Sequence, residues 1–272
     1  MAVRGQYDLR MALPDVLTRP AMPPDRVIGY GDDPEQIIDV RSATSEPDAP
    51  VVILLHGGFW RAKYDRVHTR PMADDLAGRG YVVCTPEYRR LGQPGGGYPG
   101  TFDDVAAAVD AIMGDLPAAG GVVLLGHSAG GHLALWSALR HRLPVTSPWH
   151  ASLKIQGVVP LAGISDLGWG IDAGIGGGAC SDLLDGRLAL LPETDPIRLL
   201  PYDRGRLVLV HGTEDAQVPI EISRRFAERE RSATLVELEG LDHFELIDPL
   251  SPGWPSVVEA IRSIVGPGGR VE

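Results

Sequence analysis

One short motif, Gly-His-Ser-Ala-Gly at residues 126–130, constrains this chain more than any other feature. It follows the apolar run 122–125, which is typical of a buried strand, and precedes a helix-like stretch that begins near residue 131. A G-x-S-x-G sequence between a strand and a helix predicts a sharp turn that lifts the serine oxygen clear of a sheet. The flanking glycines allow the strand and the helix to approach closely. We therefore predict that Ser128 is a nucleophile.

The rest of the chain alternates between strand and helix patterns. Further strands are predicted from apolar or alternating runs at 36–40, 51–55, 81–85, 155–161, 207–210 and 234–238. Helices are predicted at 71–79, 102–113, 131–140, 220–230 and 256–265. Buried strands that alternate with helices indicate an α/β fold, with a mostly parallel central sheet and helices on both faces. Reactive groups in such folds gather at the carboxyl ends of the strands.

A length of 272 residues suits one large α/β domain, which we place at residues 31–266. Residues 1–30 are rich in proline and charge without a clear period, and they are predicted to form an irregular N-terminal arm. The glycine-rich stretch 165–201 has weak periodicity and is the candidate for a short cap. Residues 267–272 are predicted to form a tail.

Composition argues against several classes of protein. The formal net charge of −11 leaves no basic footprint for nucleic acid, and no apolar run approaches the length of a membrane span. The N-terminal residues also lack an apolar core of signal-peptide length. Cys84 and Cys180 show no ligand spacing, so we expect no metal or cofactor, and reduced thiols in a cytoplasmic protein. The expected partner is a small-molecule substrate, with a homodimer left open.

A serine nucleophile needs a base within hydrogen-bond reach and an acid that orients this base. On a turn of this kind the expected chain order is serine, acid, histidine. His243 follows the last predicted strand and is the predicted base, whereas His211 is expected to be structural. Asp215 follows the penultimate strand and is the predicted acid. Asp166 and Glu214, which also follow strands, are its rivals.

Acyl transfer also needs N–H donors that stabilise an oxyanion. The segment 56–60, His-Gly-Gly-Phe-Trp, follows a predicted buried strand, and its glycines let the backbone approach a substrate carbonyl group. We predict oxyanion donors from Gly57, Gly58 and Phe59 in this turn. A further donor is predicted from Ala129, the residue directly after the nucleophile. His56 itself is expected to brace the turn.

Aromatic side chains near the predicted strand ends are candidates for an apolar substrate pocket. The candidates are Trp60, Trp169 and Phe244, each of which could equally belong to the core. His127 occupies the variable position of the serine motif and is not assigned a catalytic role. A packing role is expected for His132 on the following helix.

Several segments resemble those of the α/β-hydrolase superfamily, in its esterase, lipase and arylformamidase branch. The resemblance is carried by 56–60 (H-G-G-F-W) and 126–133 (G-H-S-A-G-G-H-L). Segment 211–219 is similar to the acid-bearing turn of these enzymes, and 242–244 (D-H-F) to their histidine loop. The resemblance extends over roughly residues 30 to 265. It implies an α/β-hydrolase fold with a short cap or none.

The same resemblance implies a serine hydrolase that cleaves a carboxylic ester or an activated aryl amide through an acyl-enzyme. One alternative activity is kynurenine formamidase, because segment 56–60 is similar to the H-G-G-Y-W segment of the kynurenine formamidase-like group. The chain departs from that segment at Phe59, which lacks the hydroxyl group of the tyrosine. A second alternative is a non-catalytic ligand-binding protein, since one fold supports many functions.

Overall fold

The computed structural model describes residues 15–42, 48–115 and 120–266. Within them, eight strands form one sheet in the order β1-β2-β4-β3-β5-β6-β7-β8. Strands β3 to β8 run parallel to one another. At one edge of the sheet, β2 pairs antiparallel with β4, and β1 pairs antiparallel with β2. The strands are β1 (Arg26–Gly29), β2 (Ile37–Ser42), β3 (Val51–Leu55), β4 (Val82–Pro86), β5 (Val122–His127), β6 (Gly157–Leu161), β7 (Arg206–Gly212) and β8 (Thr234–Leu238).

Helices cover both faces of the sheet, as predicted. Helices α2 and α9 pack on one face, and α3, α4 and α8 pack on the other. The helices are α1 (Asp15–Thr18), α2 (Arg70–Gly78), α3 (Gly100–Asp115), α4 (Ala129–Ala138), α5 (Leu167–Asp172), α6 (Ala179–Leu183), α7 (Leu191–Thr194), α8 (Glu221–Arg229) and α9 (Trp254–Val265).

The central strand β3 divides its side chains between two cores. Ile53 and Leu55 join the core beneath α4, while Val52 and Leu54 join the core beneath α9. This alternation explains why every residue of the strand is apolar and buried. In the parallel register, Leu55 lies opposite Gly126 of β5. The turns that follow β3 and β5 therefore emerge side by side at the carboxyl edge of the sheet.

Two elements lie in residues 15–30, the described part of the stretch 1–30 for which we predicted no regular structure. These are α1 and the edge strand β1, which pairs with β2. Strand β1 is mostly exposed, so its sequence lacks the apolar alternation on which the prediction depended. Residues 1–14 of the predicted arm and the predicted tail, 267–272, lie outside the described residues.

The predicted cap stretch 165–201 folds into short helical pieces. Helices α5, α6 and α7 alternate with 3₁₀ turns, and apolar side chains of this stretch join the core on the α4 side. Short helices with many glycines produce little periodicity, which explains why the sequence pattern indicated only a loosely structured segment here.

Candidate active site

Ser128 occupies a one-residue turn between β5 and α4. Its backbone has φ 56° and ψ −119°, a conformation that is costly for any residue other than glycine. A Cβ atom on Gly126 would lie 2.1 Å from the carbonyl oxygen of Gly130, and one on Gly130 would lie 2.0 Å from that of Leu55. Both flanking positions must therefore be glycine if the strand and the helix are to meet at this turn.

Gly126→Ala is expected to destabilise the fold, because the new methyl group would overlap the carbonyl oxygen of Gly130. Overpacking of this kind costs about 1–3 kcal/mol, and more when backbone must move. Gly114→Ala near the end of α3 is the matched control, since nothing lies within 4 Å of its added Cβ. The control should keep or slightly raise the free energy of unfolding. Urea titration of both variants checks this prediction, and equal stability of the two would contradict it.

The structure brings His243 and Asp215 together in a direct hydrogen bond. His243 Nδ1 lies 2.6 Å from Asp215 Oδ2. The other carboxylate oxygen, Oδ1, accepts hydrogen bonds from the backbone N–H groups of Gln217 and Val218 at 2.9 and 2.8 Å. Because a carboxylate only accepts, the shared proton belongs to Nδ1 of His243. The opposite ring nitrogen, Nε2, is then the one available to act as a base.

The charge state of Asp215 fits this arrangement. Burial alone would raise the pKa of its carboxyl group. Hydrogen bonds from His211 and His243, together with the charge of His243, outweigh burial and hold the pKa well below its usual range. Asp215 is therefore a carboxylate at any pH near neutrality.

The residues that rivalled Asp215 and His243 as acid and base make other contacts or are exposed. Asp166 caps α5 by accepting from the Trp169 N–H at 2.9 Å, and its other oxygen lies 3.1 Å from Arg225. Glu214 is exposed. His211 braces the acid turn, because its Nε2 lies 2.8 Å from the Val218 carbonyl oxygen and 3.3 Å from Asp215 Oδ2. None of the three is hydrogen-bonded to His243 in the described part of the chain.

The turn after β3 lies against the serine turn. A Cβ atom on Gly57 would be 3.2 Å from the Cβ of Ser128. Gly58 and Phe59 both have positive φ, at 113° and 53°. Within the described ranges, the N–H groups of Gly58, Phe59 and Ala129 donate to no acceptor of the protein. These donors are therefore available to a substrate oxygen.

A buried pair, His56 and Glu87, supports this turn from behind. His56 Nδ1 lies 2.8 Å from the Gly57 carbonyl oxygen, and Nε2 lies 2.7 Å from Glu87 Oε1. His56 thus joins the turn after β3 to the residue that directly follows β4. Burial would raise the pKa of Glu87, but the charge and hydrogen bond of His56 and the charge of Arg90 lower it to about 2. Sequence reasoning missed Glu87, whose one available signal was its place two residues after a predicted strand.

Comparison with known proteins shows the family to which this chain belongs. The sequence model of the family BD-FAE matches residues 38–229, which is more than half of the chain. The chain belongs to the BD-FAE family. The matched region includes Ser128 and Asp215 and ends before His243.

Individual relatives of this BD-FAE protein include esterases and a formamidase. The chain is 27% identical to esterase LipC of Mycobacterium tuberculosis, over 84% of this chain and 62% of LipC. It is 30% identical to kynurenine formamidase of Danio rerio, over 52% of this chain and 46% of that enzyme. The chain thus spans less than two thirds of the length of these curated relatives.

Similarity to a solved structure confirms the α/β-hydrolase fold. Esterase B from Lactobacillus rhamnosis superposes with a TM-score of 0.75 at 20% sequence identity. The superposition covers 92% of this chain and 89% of esterase B.

The three aromatic side chains predicted to line a pocket in this BD-FAE protein lie in different surroundings. Trp60 is fully buried and packs edge-on against His132 in the core, with ring centroids 5.2 Å apart. Trp169 is half-buried, with the Arg225 guanidinium 5.8 Å from its ring centroid. Phe244 is also half-buried and lies edge-on to His243, with centroids 5.2 Å apart. Of the three, Phe244 is the one beside the candidate base.

Part of the predicted cap covers the turn after β3. A Cβ atom on Gly176 would lie 2.4 Å from Cδ1 of Phe59, so the glycine backbone packs directly on this ring. The surrounding segment 174–178 contains four glycines with positive φ. Ser128 and His243 are 2% and 3% exposed, which makes the site a covered one.

The described residues also bear on metal binding, membrane crossing and thiol chemistry. They contain no group of three or more His, Cys, Asp or Glu side chains that could hold a metal ion. Within the described ranges, every helix is too short or too polar to cross a membrane. Cys84 and Cys180 are free and buried, and burial raises the pKa of each thiol to about 12. Both thiols are therefore poor nucleophiles near neutral pH.

Proposed function

We propose that this BD-FAE protein is a serine carboxylesterase that cleaves a carboxylic ester, or an activated aryl amide, through an acyl-enzyme. The observation that carries the proposal is the 2.6 Å hydrogen bond between His243 and Asp215 beside the turn of Ser128. A nucleophile in a strained turn, an oriented base and unpaired N–H donors together are what acyl transfer requires. The names of the esterase relatives support the same reaction class.

In the proposed reaction, the Ser128 Oγ attacks the carbonyl carbon while His243 Nε2 takes its proton. Asp215 stabilises the imidazolium that forms. Backbone N–H groups of the turn 57–59 and of Ala129 hold the oxyanion of the tetrahedral intermediate. The intermediate collapses as His243 gives the proton to the leaving oxygen or nitrogen. Water then attacks the acyl-enzyme with His243 again as base, which releases the acid and restores Ser128.

The surroundings of the turn support a short acyl group. Phe59 lies at the oxyanion turn beneath the glycine segment 174–178, and Ser128 is almost fully covered. We propose that this cover leaves room for an acetyl or butyryl group and not for a long acyl chain. We therefore expect p-nitrophenyl acetate and butyrate to be better substrates than the laurate ester.

Kynurenine formamidase activity is the second candidate, supported by the similarity to the Danio rerio enzyme over half of this chain. We expect kcat/KM for p-nitrophenyl acetate to exceed that for N-formylkynurenine. Phe59 is the reason, because a ring packed on Gly176 offers no hydroxyl group to a polar aryl substrate. Steady-state assays with both substrates check this. A clear preference for N-formylkynurenine would make the protein a formamidase, and hydrolysis of neither would favour a non-catalytic binding protein.

We also propose that the protein resides in a reducing compartment such as the cytoplasm, and the two buried free thiols support this.

A further inference from the structure

We infer that His127, the variable residue of the serine motif, is a positioning residue that holds the loop carrying His243 against the nucleophile turn. The inference rests on the proposed function, because it concerns how the proposed base is kept in place. His127 is the last residue of β5 and directly precedes Ser128. Its position in the sequence alone indicates no catalytic role.

The contact between the two histidines is a hydrogen bond from side chain to backbone. His127 Nε2 lies 3.0 Å from the carbonyl oxygen of His243. A carbonyl oxygen only accepts, so Nε2 of His127 carries the proton. Both residues are buried, at 2% and 3% exposure, so water cannot readily replace the bond. Loss of the donor would leave a buried carbonyl oxygen without a partner, which is costly.

The ring of His127 also contacts the two other parts of the site. Its centroid is 4.4 Å from that of His243, with the planes inclined by 48°. A Cβ atom on Gly57 would lie 3.0 Å from His127 Nδ1, so the ring also packs on the bare backbone of the turn 57–59. One side chain thus contacts the loop of the base and the turn of the donors, and its backbone continues into the nucleophile.

The charge state of His127 suits this role. Burial, and then the neighbouring charge of His243, lower the pKa of His127 well below its ordinary value. His127 therefore stays neutral when His243 takes a proton from Ser128. A second imidazolium at this distance would oppose that proton transfer, whereas a neutral ring does not.

A matched pair of amide variants separates positioning from packing. The amide nitrogen of Gln in His127→Gln reaches about as far as Nε2 of histidine and can still donate to the His243 carbonyl oxygen. The nitrogen of Asn in His127→Asn is too short for that contact. We expect His127→Asn to lower kcat about 10- to 100-fold with KM within about threefold, as misplacement of a catalytic group does. His127→Gln should retain kcat within about threefold.

His132→Asn is the control for loss of a buried histidine. His132 lies on α4, the helix that follows the turn of Ser128, and its Nε2 donates to the Thr194 carbonyl oxygen at 2.8 Å. This variant should lose thermal stability and keep kcat. Equal losses of kcat in the Asn and Gln variants of His127, or no loss in either, would overturn the inference.

A measurement on the wild-type protein tests the bond without turnover. In ¹⁵N-histidine NMR spectra at neutral pH, His127 should appear as the neutral Nε2–H tautomer with a slowly exchanging proton. A charged ring or the Nδ1–H tautomer would overturn the inference even if no His127 variant folds. If the tautomer is as expected but the wild-type protein hydrolyses no ester, the proposed function fails while the placement of His243 by His127 stands.

Discussion

Ser128→Ala is expected to lower kcat for p-nitrophenyl acetate by about 10⁴- to 10⁶-fold, because it removes the atom that forms the acyl-enzyme. The loss should appear in kcat, since binding contacts of the substrate remain in place. Ser128 Oγ is not needed for the turn itself, whose shape depends on the close approach of Gly126 and Gly130. The variant should therefore fold.

Ser137→Ala is the matched control for this prediction. Ser137 lies on α4, the helix that begins directly after Ser128, and its buried Oγ has no hydrogen-bond partner in the described residues. Loss of an unpaired buried hydroxyl group should be neutral or slightly stabilising, and kcat should not change. Steady-state kinetics and thermal unfolding of both variants check the pair. Similar turnover by Ser128→Ala and Ser137→Ala would contradict the role of Ser128.

Asp215→Asn is expected to lower kcat by about 10⁴-fold, because the amide no longer holds the proton of His243 on Nδ1. In the wild-type protein the pKa of Asp215 lies well below its usual range, so the carboxylate is ionised throughout an ordinary assay range. A fall in wild-type activity on mild acidification should therefore not arise from protonation of Asp215. The measurement is kcat against pH for both proteins.

Asp166→Asn is the control for Asp215→Asn, because Asp166 is the rival acid and also follows a strand of the sheet. The amide oxygen of Asn can still accept from the Trp169 N–H and cap α5, so the substitution removes mainly the ion pair with Arg225. Loss of an ion pair with a partly exposed arginine costs at most about 1 kcal/mol of stability and should leave kcat within about threefold of the wild-type value. A larger loss of kcat in Asp166→Asn than in Asp215→Asn would reverse the assignment of the acid.

Much of the fold and of the candidate site could be predicted from local sequence. Continuous apolar runs such as that of β3 predict buried strands, and the carboxyl ends of parallel strands meet at one edge. Because Ser128, Asp215 and His243 each follow a predicted strand, that rule predicts all three at the same edge of the sheet. The place of Asp215 after the penultimate strand, at the end of a Gly-Thr-Glu-Asp turn, then favoured it over Asp166. The hydrogen bond between His243 and Asp215 is consistent with that choice.

What could not be predicted depends on contacts between distant parts of the chain. The bond from His127 to His243 joins residues separated by 116 positions, and neither has a local signal of that contact. The same holds for Glu87 and His56, which are 31 positions apart. Trp60 illustrates the converse. Its neighbours in sequence suggested a pocket, but the positive φ values of Phe59 and Trp60 turn the chain so that the indole is buried against His132.

The most direct test of the central claim is the site of covalent labelling by a fluorophosphonate probe, read by peptide mass spectrometry of the folded protein. Because the probe reacts with an activated serine, the wild-type protein should carry one adduct, on Ser128, and Asp215→Asn should react much more slowly. The Ser137→Ala control should be labelled like the wild-type protein. Ester hydrolysis without an adduct on Ser128, or an adduct on another residue, would contradict the assignment of Ser128 as the acylated nucleophile.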